Sequence, residues 1–243
     1  MTVSPKVLSE LAPHGILRAG INMSNPLLVS GTAPSGDPRG VAPDLAAEIA
    51  RRLGVPVRYV LFPRPGELAD AAGLDVWDIG LIGAEPQRAD KIAFTAAYAE
   101  IEATYLVPAG SPITDIAAVD RPGVRIAVSA RSAYGLWLER NIRHATLVHA
   151  NSLDASYQLF VDDKLEALSG LQERLLQDAR NLPGGRILDG RFMTVQQAVG
   201  TARDNHAGAA FLREFVEEAK SSGLVAQLIA RHHVTGLSVA PPA

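Results

Sequence analysis

Six histidines and no cysteines set narrow limits on the chemistry that this chain of 243 residues can do. Thiol nucleophiles, disulfides, zinc fingers and iron–sulfur ligation all need cysteine and are excluded. His232 and His233 are adjacent, a spacing that aims two rings apart on a helix, and no H-E-x-x-H accompanies them. They read as two surface histidines near the C-terminus. His144 and His149 flank a short strand without a carboxylate set beside them, so no metal is expected. The chain has no G-x-S-x-G elbow, no P-loop and no G-x-G-x-x-G fingerprint. Two Trp, five Tyr and six Phe are too few for an aromatic-lined sugar platform. No catalytic residue is assigned and no cofactor is implied.

The elements that would position a site follow an alternating pattern. Gly15–Ile21 reads as a strand, followed by a Gly/Pro/Ser-rich loop over Ser30–Gly40. Asp44 is placed as the N-cap of a helix through Leu53 that ends at Gly54. Val55–Leu61 is a strand, Pro65–Ala72 a short helix, and Asp78–Ile82 a strand ending in Gly83. The pattern restarts with strands at Ala103–Val107 and Val124–Val128, and a helix capped by Ser132 through Asn141. Strands at Ala145–His149 and Ala167–Gly170 alternate with helices at Leu153–Val161 and Leu171–Arg180. Strands at Arg186–Leu188 and Val195–Thr201 follow. In Asn205–Lys220, Phe211, Leu212, Phe215, Val216 and Ala219 fall on one helical face, and Ser222–Ala230 repeats the pattern.

This β-α-β alternation predicts an α/β fold with parallel strands and helices on both faces. The length suits two lobes of about 120 residues each. The expected division is lobe 1 over residues 1–106 and 201–243, with lobe 2 inserted at 107–200. The net charge of -3, from 23 Lys+Arg and 26 Asp+Glu, gives no basic face for nucleic acid. No window approaches the run of about 18 apolar residues that a spanning helix needs.

Three stretches carry a resemblance. Trp77-Asp78-Ile79-Gly80-Leu81-Ile82-Gly83-Ala84-Glu85-Pro86-Gln87-Arg88, followed by Ile92-Ala93-Phe94-Thr95-Ala96-Ala97-Tyr98, resembles the "D-x-x-x … T-P-E-R … F-S-x-P-Y" region of the bacterial extracellular solute-binding proteins, family 3. Gly15-Ile16-Leu17-Arg18-Ala19-Gly20 with Gly40-Val41-Ala42-Pro43-Asp44-Leu45 is similar to that family's "G-x-L-R-V-G … G-F-D-V-D-L". Gly200-Thr201-Ala202-Arg203 with two closing helices also fits. The resemblance implies a two-lobed periplasmic binding protein-like type II fold with hinge strands. It also implies an ABC importer's substrate-binding protein for a small carboxylate-bearing solute, an amino acid or related organic anion. A monomer that closes on its ligand and docks on ABC permease subunits is the expected partner scheme.

By the same resemblance, Arg88 falls on the position that grips the ligand carboxylate, a role suited to a planar fork of donors. Ser132 falls on the hydroxyl residue that opens a lobe-2 helix, where free N–H groups and the helix dipole favour an anion. Arg131 stands where the family has Gly, and Asn25 near its early aromatic. The segment between Asp78 and Arg88 is about two residues short, which leaves Gly83 and Ala84 in place of a small hydroxyl contact. Glu173 is the acid nearest the position that would hold an α-ammonium, two residues out of register.

Two alternatives accompany this reading. In a cyclohexadienyl (prephenate/arogenate) dehydratase-like enzyme, Glu173 would be a desolvated acid, and Arg131 with Arg88 would hold a dicarboxylate. In a cytoplasmic ligand-sensing protein, binding would be reported to a partner. Met1–Leu11 is too polar for a secretory signal. A periplasmic location is expected with the signal peptide absent from this chain, the alternative being cytoplasmic.

Overall fold

A computed structural model describes residues 3–243. In chain order it contains α1 (Pro5–Leu11), β1 (Leu17–Asn22), β2 (Gly31–Thr32), β3 (Pro38–Arg39), α2 (Val41–Leu53), β4 (Val57–Phe62), α3 (Pro65–Asp70), β5 (Ile79–Gly83) and β6 (Ile92–Val107). There follow β7 (Arg125–Ser129), α4 (Ala133–Asn141), β8 (Thr146–Ala150), α5 (Leu153–Asp162), β9 (Ala167–Leu171), α6 (Gln172–Ala179) and β10 (Arg186–Ile187). The chain closes with β11 (Met193–Ala202), α7 (His206–Ser221), α8 (Leu224–Arg231) and β12 (Ser238–Val239). It divides into two compact units, Met1–Glu100 with Gln196–Ala243, and Ile101–Val195. The chain passes between them inside β6 and β11.

In the first unit β1 lies between β4 and β5, parallel to both, and β11 runs antiparallel to β5 with Gly83 opposite Gln197. Every residue of β5 is buried, the pattern of a strand covered on both faces. Ion pairing fixes the foot of this sheet. Arg18, on β1, donates from its backbone N–H to Asp78 Oδ2 at 2.8 Å and from Nη2 to Asp78 Oδ1 at 2.7 Å. The same guanidinium donates from Nη1 to the Asp75 carbonyl at 2.6 Å. Both Arg18 and Asp78 are buried, and Asp78, chiefly, holds the arginine pKa above its ordinary value.

Several local expectations change. The helix that was to start at Asp44 begins three residues earlier, at Val41, with Gly40 as its N-cap. Gly40 has φ 147°, and a Cβ there would lie 2.2 Å from the Leu28 carbonyl oxygen, so a side chain is excluded. Pro43 fits the first turn because its missing N–H would have had no helical partner. Asp44 instead receives His232 Nε2 at 2.9 Å and Arg231 Nη1 at 3.1 Å, joining α2 to the end of α8. His232 is therefore not a surface histidine; its side chain is 10% exposed. The polar N-terminal stretch forms α1, capped by Ser4, whose Oγ accepts from Val7. It buries Val7 and Leu11 and packs on α7. β6 begins at Ile92 rather than Ala103, and the Ser30–Gly40 loop contains the small β2–β3 ladder.

In the second unit β7 lies between β8 and β9, parallel to both, and β9 pairs antiparallel with the later half of β6. Leu106, Ala127, Phe160, Leu165, Leu168 and Leu175 form its core. The loop that follows α4 hangs on one carboxylate. Asp120 Oδ1 accepts from His144 N–H at 2.7 Å and Ala145 N–H at 2.8 Å, and Oδ2 from Arg143 N–H at 3.0 Å. Desolvation alone would raise the Asp120 pKa, but the three backbone donors together outweigh it and hold the pKa below its ordinary value. Because the folded-state pKa is depressed, this contribution is present above the unfolded pKa and lost as pH falls through the folded one. Asp120→Asn is thus expected to flatten the acid limb of a Tm-versus-pH profile below about pH 4. An acid limb identical to wild type would show that the loop does not depend on this charge.

Candidate functional site

In each unit the expected binding residues fall at the carboxyl ends of parallel strands, the edge where open α/β sheets place ligands. In the first unit, Gly83 ends β5, and the chain turns through Glu85 into a single helical turn, Pro86–Arg88. This turn folds the Arg88 side chain back, so that Nη1 donates to the Gly83 carbonyl at 2.6 Å. Arg88 and Glu85 are both buried, at 6% and 5% exposure. One arm of the guanidinium is thus fixed by backbone, which sets the plane in which the rest of the fork lies. Arg88 and Gly83 are brought together directly.

Asn25 follows the carboxyl end of the neighbouring strand β1. Its side chain is turned to local work: Oδ1 accepts from Leu27 N–H at 3.1 Å, and the backbone carbonyl accepts from Leu28 and Val29. The amide therefore shapes the turn after β1. Trp77, Tyr98 and Tyr105 are buried and Phe94 is partly buried against the Leu68–Trp77–Ile92 cluster.

In the second unit, β7 leads into Arg131 and Ser132. Ser132 caps α4: its Oγ accepts from Gly135 N–H at 3.0 Å and donates to the Ser129 carbonyl at 2.7 Å. Ala133 and Tyr134 are the first two helical residues, and their N–H groups have no preceding helical carbonyl to meet. Arg131 is exposed and has φ 59°, a left-handed conformation that costs a non-glycine residue about 1 kcal/mol. That conformation explains why glycine suits this place. Arg131→Gly is expected to leave the empty protein's stability equal or higher by up to about 1 kcal/mol; a clear fall in Tm would show that the arginine side chain, not the backbone, matters here.

Glu173 lies in the first turn of α6, at the carboxyl end of β9 and thus beside the β7–α4 turn in the sheet order. It is partly exposed. The buried acid of this helix is Asp178, which Arg174 holds from Nε at 2.9 Å while its Nη2 reaches Asp154 at 2.7 Å. Leu171 occupies the end of β9 itself and is buried.

The sequence reading did not single out Ser129, Tyr134 or Glu85. Ser129 and Glu85 are polar residues at strand ends next to chosen positions, a signal that was available. Tyr134 carried none, since a tyrosine in the first turn of a helix is equally a core residue. Its hydroxyl is sealed from solvent without a hydrogen bond of acceptable geometry. Burial pushes the Tyr134 pKa up to about 12, against the opposite pull of the Ser132 and Ser129 side chains.

The family model for bacterial extracellular solute-binding proteins, family 3, matches residues 17–235. No curated protein sequence matches the chain. Among solved structures, the substrate binding protein of an amino acid ABC transporter is similar, with TM-score 0.71 and 20% identity, covering 89% of this chain and 98% of the other. So is an ancestral amino acid-binding protein, a precursor of cyclohexadienyl dehydratase, with TM-score 0.73, 19% identity, and coverage of 92% and 98%. A histidine kinase sensor domain with similarity to periplasmic binding proteins gives TM-score 0.76 and 15% identity, covering 93% and 99%. At these identities the structural likeness shows the fold alone, the α/β fold of two-lobed periplasmic binding proteins.

Proposed function

We propose, for a chain that belongs to the bacterial extracellular solute-binding proteins, family 3, that it captures an amino acid or related small carboxylate in the periplasm and presents it to ABC permease subunits. The observation that carries the reading is the buried Arg88 guanidinium at the carboxyl end of β5, anchored by the Gly83 carbonyl. A buried, oriented guanidinium suits a carboxylate because its parallel N–H groups match two oxygens at once. The start of α4 offers a second set of oxyanion donors in its own unit, through the Ala133 and Tyr134 N–H groups. Asn25 and Arg131 flank these two positions, and Glu173 lies within the same edge of the second sheet. Family 3 proteins are in general binding proteins rather than enzymes. The dehydratase alternative would need a desolvated acid, and Glu173 is partly exposed.

A thermal-shift panel of L-amino acids, small carboxylates, polyamines, sulfonates, prephenate and arogenate tests this. A ligand at 100 times its Kd stabilises the folded state by about 2.7 kcal/mol, a Tm rise of roughly 5–10 °C for a chain of this length. An amino acid or simple carboxylate that produces the shift and is recovered unchanged supports the proposal. Consumption of prephenate or arogenate would place the chain with the lyases instead. Pull-down of permease subunits by the liganded protein separates a transport role from sensing.

A further inference from the structure

The hydroxyl bonds at the start of α4 are closed in on themselves. Ser132 Oγ has one proton, given to the Ser129 carbonyl at 2.7 Å, and one of its two lone pairs takes Gly135 N–H at 3.0 Å. As it stands, Ser132 has no proton to offer an incoming oxyanion. The Ser129 carbonyl, however, also accepts the Ser132 backbone N–H at 3.3 Å, so it keeps a partner if the hydroxyl turns away.

Next to this closed pair stands a donor with nothing to do. Tyr134 is 3% exposed, on the second residue of the helix that Ser132 caps, and its hydroxyl has no hydrogen-bond partner. An unsatisfied buried hydroxyl costs about 1–3 kcal/mol. The Ser132 and Ser129 side chains are close enough to the phenol to act on its ionisation. Ser132 Oγ still has a second lone pair to accept from it.

We propose that Tyr134 is a positioning residue for ligand recognition: by donating to the free lone pair of Ser132 Oγ, its hydroxyl lets Ser132 turn its proton from the Ser129 carbonyl to a ligand oxyanion. The inference rests on the proposed reading of this site as a carboxylate receptor. A chain of hydroxyls in which each donor also accepts is polarised along its length, which strengthens the last bond, the one to the ligand. In the empty protein the phenol waits unpartnered. In the liganded protein the Tyr134, Ser132 and oxyanion groups form one row with every proton used. The same row explains a tyrosine at a position where phenylalanine would pack equally well.

Calorimetric titration tests this with the panel L-amino acid, arginine, lysine and cysteine included, that raises the wild-type Tm most. Tyr134→Phe is expected to weaken binding about three- to tenfold, the worth of one net hydrogen bond. The Tm of the empty protein should stay unchanged or rise, because an unsatisfied hydroxyl has been removed. In a Ser132→Ala background, Tyr134→Phe should cost less than about twofold, since a residue that acts through Ser132 has nothing left to act on. Unchanged affinity in Tyr134→Phe overturns the proposal while wild-type binding keeps the receptor reading intact. An equal loss in both backgrounds overturns it too, because Tyr134 would then act without Ser132. A lower Tm of empty Tyr134→Phe means that the hydroxyl already has a structural partner and likewise overturns it. A wild type that binds no panel amino acid overturns the parent reading and this one with it.

Discussion

Arg88→Ala is expected to weaken binding of the panel's best ligand by about 30-fold or more, because removing one side of a buried charge pair costs about 2–5 kcal/mol. Arg88→Lys keeps the charge but replaces a planar fork with a point charge, and is expected to recover only part of the affinity. The empty Arg88→Ala protein should lose a little stability as well. Arg88 is buried and its Nη1 satisfies the Gly83 carbonyl, so its removal leaves that carbonyl to water or to nothing. The order of effects is therefore large on affinity and small on Tm. Isothermal titration beside a thermal melt of the unliganded protein reads both. Wild-type affinity in Arg88→Ala would remove Arg88 from the site and with it the main support for a carboxylate ligand.

Asp78→Ala is expected to produce the opposite pattern, a large fall in stability whatever ligand is present. Asp78 is the principal counter-charge of the buried Arg18, with Oδ1 and Oδ2 engaged by Nη2, Nε and the Arg18 backbone N–H. Breaking a buried pair by deleting one partner typically costs about 3–5 kcal/mol, because the remaining charge is left uncompensated. For a chain of this length that is a Tm loss of roughly 6–20 °C. Exposed Asp75 cannot take over, since it already receives the same guanidinium at 2.5 Å from the surface side. Arg18→Met combined with Asp78→Leu should recover much of the loss by removing both charges at once. A single Asp78→Ala variant that melts with wild type would show that water compensates Arg18.

The sequence carried the fold further than it carried the site, and the reason lies in the range of the interactions. The strands at Leu17–Asn22, Ile79–Gly83 and Arg125–Ser129 and the helix capped by Ser132 announce themselves by local means: apolar runs, β-branched residues, glycine stops and a capping hydroxyl. Their alternation requires parallel pairing and sends the loops after β1, β5, β7 and β9 to one end of each sheet. Arg88 could be chosen because it stands in a motif with a known order, and Ser132 because capping is a property of neighbours in sequence.

What the sequence left open depends on residues that meet only after folding. Asp44 has the residue type of an N-cap, yet the helix starts at Val41 after Gly40, a position where φ of 147° and the nearby Leu28 carbonyl admit only glycine, and local propensity does not see that carbonyl. His232 looks like a surface histidine until α8 brings it against Asp44, 188 residues earlier in the chain. Asn25 accepts at Oδ1 from Leu27 N–H in the turn after β1, a bond that its sequence position does not announce. The tyrosine at 134 has the same sequence signature whether its hydroxyl is satisfied, exposed or stranded; only packing around α4 decides that it is stranded beside Ser132. Residue types and spacing along the chain determined the α/β plan and the edge of each sheet where open α/β folds place ligands, and the family resemblance added the arginine proposed to hold one. Tertiary packing decided which polar groups at that edge are already used and which still have a proton to give, because hydrogen-bond satisfaction belongs to neighbours in space.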